Sequence, residues 1–236
     1  MTEEMSMGYE FDYLREVRRT LEQPFLPERV SGLGGAEYLL SVISGDMPYD
    51  DIVADFEAQD PDSEWAVREW IAEAIFYPGF VIVARAPGDQ RPAGFLTFDT
   101  RVFVNDAGTG GHLSWVSTTL EPKTVYVSPA FRGMGFGDAF VQVLARQIPW
   151  LLERLSEASH GSVKNLRPEQ ITFAMEAECV SEEGLRFIEK AFAACDAELT
   201  AAGRVGRWIA PSGLEDAIDR GGFDEKDEPE TSIHFR

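Results

Sequence analysis

The sequence predicts a mixed α/β fold, on three observations. Short β-branched and aromatic runs, Phe80-Val81-Ile82-Val83-Ala84 and Val125-Tyr126-Val127 among them, read as strands. Other stretches place apolar residues at steps of three and four, as in Trp65, Val67, Ile71, Ile75 and Phe76, or Phe140, Leu144, Ile148, Leu151 and Leu155. A junction joins the two kinds: the strand ending at Val127-Ser128-Pro129 runs through Gly133, Gly135 and Gly137 straight into the second helical pattern. With 236 residues the chain suits one domain, or a domain with an extension, and can bury a substantial core.

Taken in order, residues 9–22 fit either a strand running into a helix or one helix throughout, ended by Pro24 and Pro27. Leu33-Gly34-Gly35 is a turn, Ala36 to Ile43 reads as a short helix closed by Gly45-Asp46, and Met47 to Asp51 can cap another helix through Phe56. Gln59 to Ser63 is a loop with an N-cap for the helix that stops before Pro78-Gly79. Phe80–Ala84 and Ala93–Phe98 form a hairpin about the Pro87-Gly88-Asp89-Gln90 turn. Residues 105–111 make a flexible tip, and the strand from His112 to Thr119 leads towards Val125. Beyond the glycine-loop helix, Ser156 to Pro168 is a polar connector and Gln170–Cys179 alternates as a strand. Ser181 then caps a helix carrying Leu185, Phe187 (or Ile188), Ala191, Phe192 and Cys195. Two closing strands are expected at Arg207–Ile209 and Thr231–Phe235, around an acidic loop from Asp224 to Glu230.

Composition narrows the function. There are 41 acidic residues against 21 basic ones, a formal net charge of -20. Such a balance argues against nucleic acid or an anionic membrane as partner and favours a cationic one, an amine for instance, although solubility alone explains it equally well. No apolar run is long enough to span a bilayer and the first residues are acidic, so a cytoplasmic protein is expected. Cys179 and Cys195 fit reduced core thiols, and the scattered His112, His160 and His234 offer no metal spacing.

The glycine junction carries the chemistry. Residues without side chains let backbone N–H groups converge on an oxygen-rich ligand, the first helical turn adds positive potential, and Arg132 brings a planar fork suited to phosphate. The dinucleotide fingerprint would need glycine where Asp138 stands, and no Gly-Lys-Ser/Thr is present. What the stretch resembles is the acyl-coenzyme A loop of the GNAT N-acetyltransferase superfamily, Arg/Gln-x-x-Gly-x-Gly/Ala after a strand ending in Val-x-Pro; here Val127-Ser128-Pro129 and Arg132-Gly133-Met134-Gly135-Phe136-Gly137 supply it. Ala93-Gly94, just past a hairpin turn, is similar to that family too, and the order of elements matches over nearly the whole chain.

The resemblance implies a strongly twisted, mainly antiparallel sheet flanked by helices, formed by residues 1–236 as one domain. A helical N-terminal region, residues 1–78, would shape the acceptor site, and residues 79–236 would bind acetyl-coenzyme A as co-substrate. It implies direct attack of a primary amine on the thioester, the amine belonging to a small cationic molecule or a protein, and it is compatible with a homodimer. The strand Val125, Tyr126, Val127 would splay from strand 171–179 and offer free backbone groups to pantetheine, while Arg132, Gly133, Met134, Gly135, Phe136 and Gly137 would hold the pyrophosphate.

For the base, Glu121 stands where the histone-acetylating branch of the family places its glutamate. In a regular strand it would share a face with Lys123, Val125 and Val127, although Pro122 can end the strand there. Glu176 and Glu178 come next, either as paired acids bordering the acceptor cleft or as the solvated face of an edge strand. One departure stands out: where the family carries Leu-Tyr-Glu-Lys, this chain has Phe187-Ile188-Glu189-Lys190, without the tyrosine that protonates coenzyme A. A silent acyl-coenzyme A sensor on the same fold is the alternative this leaves open.

Overall fold

A computed structural model describes residues 25–31, 37–43, 49–61, 64–76, 79–86, 88–106, 113–157, 166–179, 181–207, 209–219 and 233–234. Expectations for residues 9–22, for the turn at Leu33–Gly35, for His112 and most of the 105–111 tip, for Trp208, and for the acidic loop fall outside the described residues.

The sheet is built around two strands of 15 residues each, β4 (Pro92–Asp106) and β5 (Leu113–Val127), paired antiparallel along their length. On one side follow β3 (Gly79–Arg85), β2 (Glu37–Ile43) and β1 (Arg29–Ser31), all antiparallel. On the other, β6 (Ile171–Glu178) lies parallel to β5, and β7 (Leu214–Asp219) parallel to β6. A two-residue strand, β8 (Ile233–His234), pairs with β5 off this path. The result is a mixed sheet, antiparallel from β1 to β5 and parallel from β5 to β7.

Helices cover both faces, and the sheet's alternation separates two cores. Val81, Val83, Phe95 and Tyr126 point to one face, where α1 (Asp50–Gln59) and α2 (Glu64–Phe76) lie over them with Val53, Phe56, Val67 and Ile71. Ile82, Leu96, Phe98, Val125 and Met175 point to the other, against α3 (Phe136–Ala145) and α5 (Glu182–Ala201). There α4 (Gln147–Glu157) adds Ile148, Leu151 and Leu152 around Val116, Ile171 and Phe173. The α5 start is capped as its sequence suggests, the Gly184 N–H donating to Ser181 Oγ at 3.1 Å. Cys179 and Cys195 are both free and buried.

Four expectations need correction. Residues 37–43 are strand, not helix: Tyr38 and Ile43 are buried and β1 and β3 supply ladders on both edges, so partners and β-branched content outweigh the helical reading. The N-terminal region, residues 1–78, is therefore not helical throughout, since it holds β1 and β2. The glycine-loop helix is two helices, α3 and α4, separated at Arg146. Pro149 explains the break, because its ring would clash with the carbonyl four residues back and it has no N–H to donate. The first closing strand lies at 214–219 rather than 207–209, where only a bridge between Val205 and Ile209 forms.

Gly94 marks a close approach of β4 to β5. A Cβ there would overlap the Tyr126 carbonyl and stand 3.2 Å from the Val127 Cα and 3.4 Å from the Phe140 ring. Gly94→Ala should accordingly cost about 1–3 kcal/mol by overpacking, seen as a lower urea midpoint. Gly137→Ala, whose Cβ would meet nothing within 4 Å, should leave the midpoint unchanged or raise it slightly, since alanine suits a helix better than glycine. Equal midpoints for the two variants would contradict this packing.

Candidate functional site

The glycine loop is held from beneath at several points. Ser128, fully buried, donates its N–H to the Ala93 carbonyl at 2.9 Å and its hydroxyl to Gln59 Oε1 at 3.2 Å. Pro129–Phe131 form a single 3-10 turn. Gly133 and Gly135 then take φ of 75° and 89°, a left-handed backbone that other residues adopt only under strain. Gly135 becomes the N-cap of α3 without offering a side-chain cap. The Phe136 ring anchors the loop between Phe131 and Tyr38, whose ring centre is 4.3 Å away, and the Tyr38 hydroxyl donates to the Met134 carbonyl.

This geometry leaves donors. Among the described residues, the amides of Gly133, Gly135, Phe136, Gly137 and Asp138 reach no backbone acceptor, the usual state of a first helical turn without caps. A Cβ added at Gly133 or Gly137 would meet nothing within 4 Å, so the loop faces open space. Arg132 is exposed, its Nε donating to the Val127 carbonyl at 3.2 Å. Asp138, in the same first turn, is ion-paired with Lys190 of α5, which offsets a negative charge beside these donors. Donors, open space and a cation fit a polyanion such as a pyrophosphate.

Next to the loop the sheet opens. β5 and β6 are paired only from Val116↔Ile171 to Leu120↔Met175; beyond that, β6 keeps β7 and loses β5. The backbone edge expected to be free is partly taken, because Thr124 and Val125 pair with His234 and Ile233 of β8. The open edge thus begins at Tyr126. Tyr126 itself meets this edge only by its backbone, since its ring is buried under α1 and its hydroxyl donates to Asp60 Oδ2 at 3.0 Å.

The expected carboxylates are placed by a bulge. Phe98 pairs with Pro122 but Thr97 pairs with Thr124, so Lys123 is an extra residue on β5 and the alternation reverses across it. Glu121 therefore faces the α1–α2 side with Asp99, its cross-strand partner, whereas Val125 packs into the α3–α5 core; the expected common face of 121, 123, 125 and 127 does not form. Pro122 does not end the strand. It lies at the register shift and past the last β5–β6 pair, where a missing N–H costs little.

On that face Arg101 Nη2 bridges Glu121 Oε2 at 3.0 Å and Glu176 Oε2 at 2.7 Å, and Lys123 Nζ holds the other Glu121 oxygen. Glu121 and Glu176 are thus brought together through a shared cation, while Glu178, exposed two residues on, makes no ion pair among the described residues. Sequence reasoning missed Asp99, Arg101 and Tyr38. Nothing local marks Asp99; only the register puts it opposite Glu121. Burial pushes the Asp99 carboxyl up from its ordinary range, against Lys123 and Arg101 and with help from Glu121 and Glu73. The side chain of Ile188, at the family's tyrosine position, is fully buried in the α3–α5 core.

No protein-family model matches the chain, and no curated protein matches it in sequence. Among the described residues no helix is long and apolar enough to cross a membrane, and no group of His, Cys, Asp and Glu is arranged to hold a metal ion.

Asp99 also sets a pH dependence. A carboxyl whose pKa is higher folded than unfolded contributes stability below the unfolded value, about 3.9, and that contribution is lost as pH rises through the folded value. Asp99→Asn should therefore raise the melting temperature at neutral pH, and the gain should shrink as pH falls towards the unfolded value. A gain that grows on acidification would reverse the assignment.

Proposed function

We propose that this chain is an N-acetyltransferase of the GNAT fold, using acetyl-coenzyme A to acetylate a primary amine on a small cationic molecule or a protein. One observation carries the reading: a cradle of amides without backbone acceptors, those of Gly133 and of Gly135 to Asp138, flanked by Arg132, stands at the head of α3 beside the point where β5 and β6 separate. A pyrophosphate on those amides would direct its pantetheine arm along the β5 edge from Tyr126, past β8. An N–H near Val127 would polarise the thioester carbonyl.

The chain's own groups then have defined tasks. The polar α1–α2 face of the sheet, with Asp99, Glu121 and Glu176, receives the cationic amine, and a carboxylate there removes its proton. The freed nitrogen bonds the carbonyl carbon, the carbon–sulfur bond breaks, and the thiolate leaves. Its conjugate acid is acidic enough for departure without the tyrosine hydroxyl that Ile188 replaces. The acidic surface would raise the local amine concentration.

The second reading, an acyl-coenzyme A sensor without turnover, is favoured by two observations: Ile188 is sealed in the core, and both Glu121 oxygens are held by cations. Calorimetry with acetyl-coenzyme A followed by thiol release on pooled primary amines separates the two. Transfer predicts binding with release, the sensor binding alone, and absence of binding overturns both. Arg132→Glu should weaken binding by roughly tenfold or more, the loss of a charge-assisted contact with phosphate. Gly135→Glu should abolish it, through backbone strain and an added negative charge.

A further inference from the structure

Of the acids on the open sheet face, Asp99 differs from the others in its surroundings. Glu121 has each oxygen on a cation, Lys123 and Arg101, and Glu176 shares Arg101. Asp99 is partly buried, and among the described residues its carboxylate makes neither a hydrogen bond nor an ion pair. Its Oδ1 rests against the backbone of Gly79, where any Cβ would collide with it, at the end of α2. A partly desolvated carboxylate without a donor is costly unless something supplies one.

A second observation, independent of the acids, is Thr97. Its side chain is on the same face of β4, one pleat from Asp99, with 1 % of its surface exposed, and its hydroxyl has no hydrogen-bond partner among the described residues. Two side chains on one face of β4 thus lack hydrogen-bond partners just past the point where β5 leaves β6: Asp99 stands opposite Glu121, one residue beyond the last pair, Leu120↔Met175, and Thr97 stands opposite Thr124, three residues further along β5. A primary ammonium answers both, since it brings three donors and a positive charge.

Resting on the transfer reading above, we propose that Asp99, with Thr97 beside it, receives the ammonium of the acceptor and takes its proton, while Glu121 serves as a positioning residue that holds Arg101 and Lys123. Asp99 carboxylate and R–NH3+ give the carboxylic acid and R–NH2. The amine nitrogen bonds the thioester carbonyl carbon, carbon–sulfur cleavage releases the thiolate, and the second nitrogen proton ends on that sulfur. Asp99 returns its proton to water. The charged groups around Asp99 are Glu73 of α2, Arg101 of β4, and Glu121 and Lys123 of β5, with Glu176 of β6 beyond Arg101. Burial among them raises the Asp99 pKa, which brings it closer to that of the amine it must deprotonate.

The test uses the full chain and propylammonium chloride as the probe. Carboxyl carbon NMR should show Asp99 titrating above the ordinary aspartate range and drawn downward by propylammonium, with a smaller response in Thr97→Val. An Asp99 midpoint indifferent to propylammonium, or a response at Glu121 or Glu176 instead, would overturn the assignment. In thiol release from acetyl-coenzyme A and propylamine, Asp99→Asn should lower kcat by about 10²–10⁴-fold and remove the acid limb of the pH profile, with coenzyme A affinity unchanged. Glu121→Gln should keep that limb, and the reverse pattern would refute the proposal. Wild type that neither binds coenzyme A nor releases thiol would overturn the transfer reading, and a midpoint still moved by propylammonium would leave the ammonium site standing alone.

Discussion

Pro122 has no backbone hydrogen to give, and much of the molecule is arranged around that fact. Its neighbour Lys123 is squeezed out of register against β4, and β6 pairs with β5 no further than Leu120. Each departure from a regular ladder has a structural result. The bulge turns Glu121 towards the α1–α2 face while Val125 stays in the opposite core, and the lost pairing lets the sheet open beside the glycine loop. A donor-bearing residue at 122 would remove one reason for this irregularity in a strand that runs in register from Trp115 to Pro122.

The two faces of the sheet divide the labour. The α3–α5 face is apolar and closely filled, with Phe98, Leu120, Phe136 and Ile188 fixing where the glycine loop emerges. The other face is apolar only under α1 and α2. Beyond them it becomes a polar surface in which two cations hold Glu121 and one of them also holds Glu176. Arg101 and Glu176 are half-exposed and their pair adds little stability, whereas Glu121 is mostly buried; the shared cation fixes the positions of both carboxylates.

Much of this is written locally and can be read from the sequence. The strand, glycines and helix of 124–145, the 80–98 hairpin and the Ser181 cap each depend on residues within a few positions of one another. The break at Arg146 is equally local, set by Pro149, but the apolar periodicity from Phe140 to Leu155 runs through it and conceals it. Glu-Tyr-Leu-Leu-Ser-Val-Ile at 37–43 holds enough β-formers to argue for strand, yet the deciding factor is the pair of neighbours, β1 and β3, which no local pattern contains. The same holds for the site. Arg101 and Asp99 are ordinary strand residues until the register sets them against Glu121, and a one-residue bulge is enough to reverse the face on which Glu121 was expected.

Tyr38 is joined to Met134 across 96 positions of sequence. The loop's own residues specify its left-handed turns, but its floor is a phenol delivered by β2, which β3 and β4 separate from the loop's own strand, β5. Contacts between residues so far apart in sequence carry a loop-closure cost that the packing around them must offset. The loop therefore depends on the whole sheet beneath it, and loss of β2 would leave the glycines without the ring that backs them.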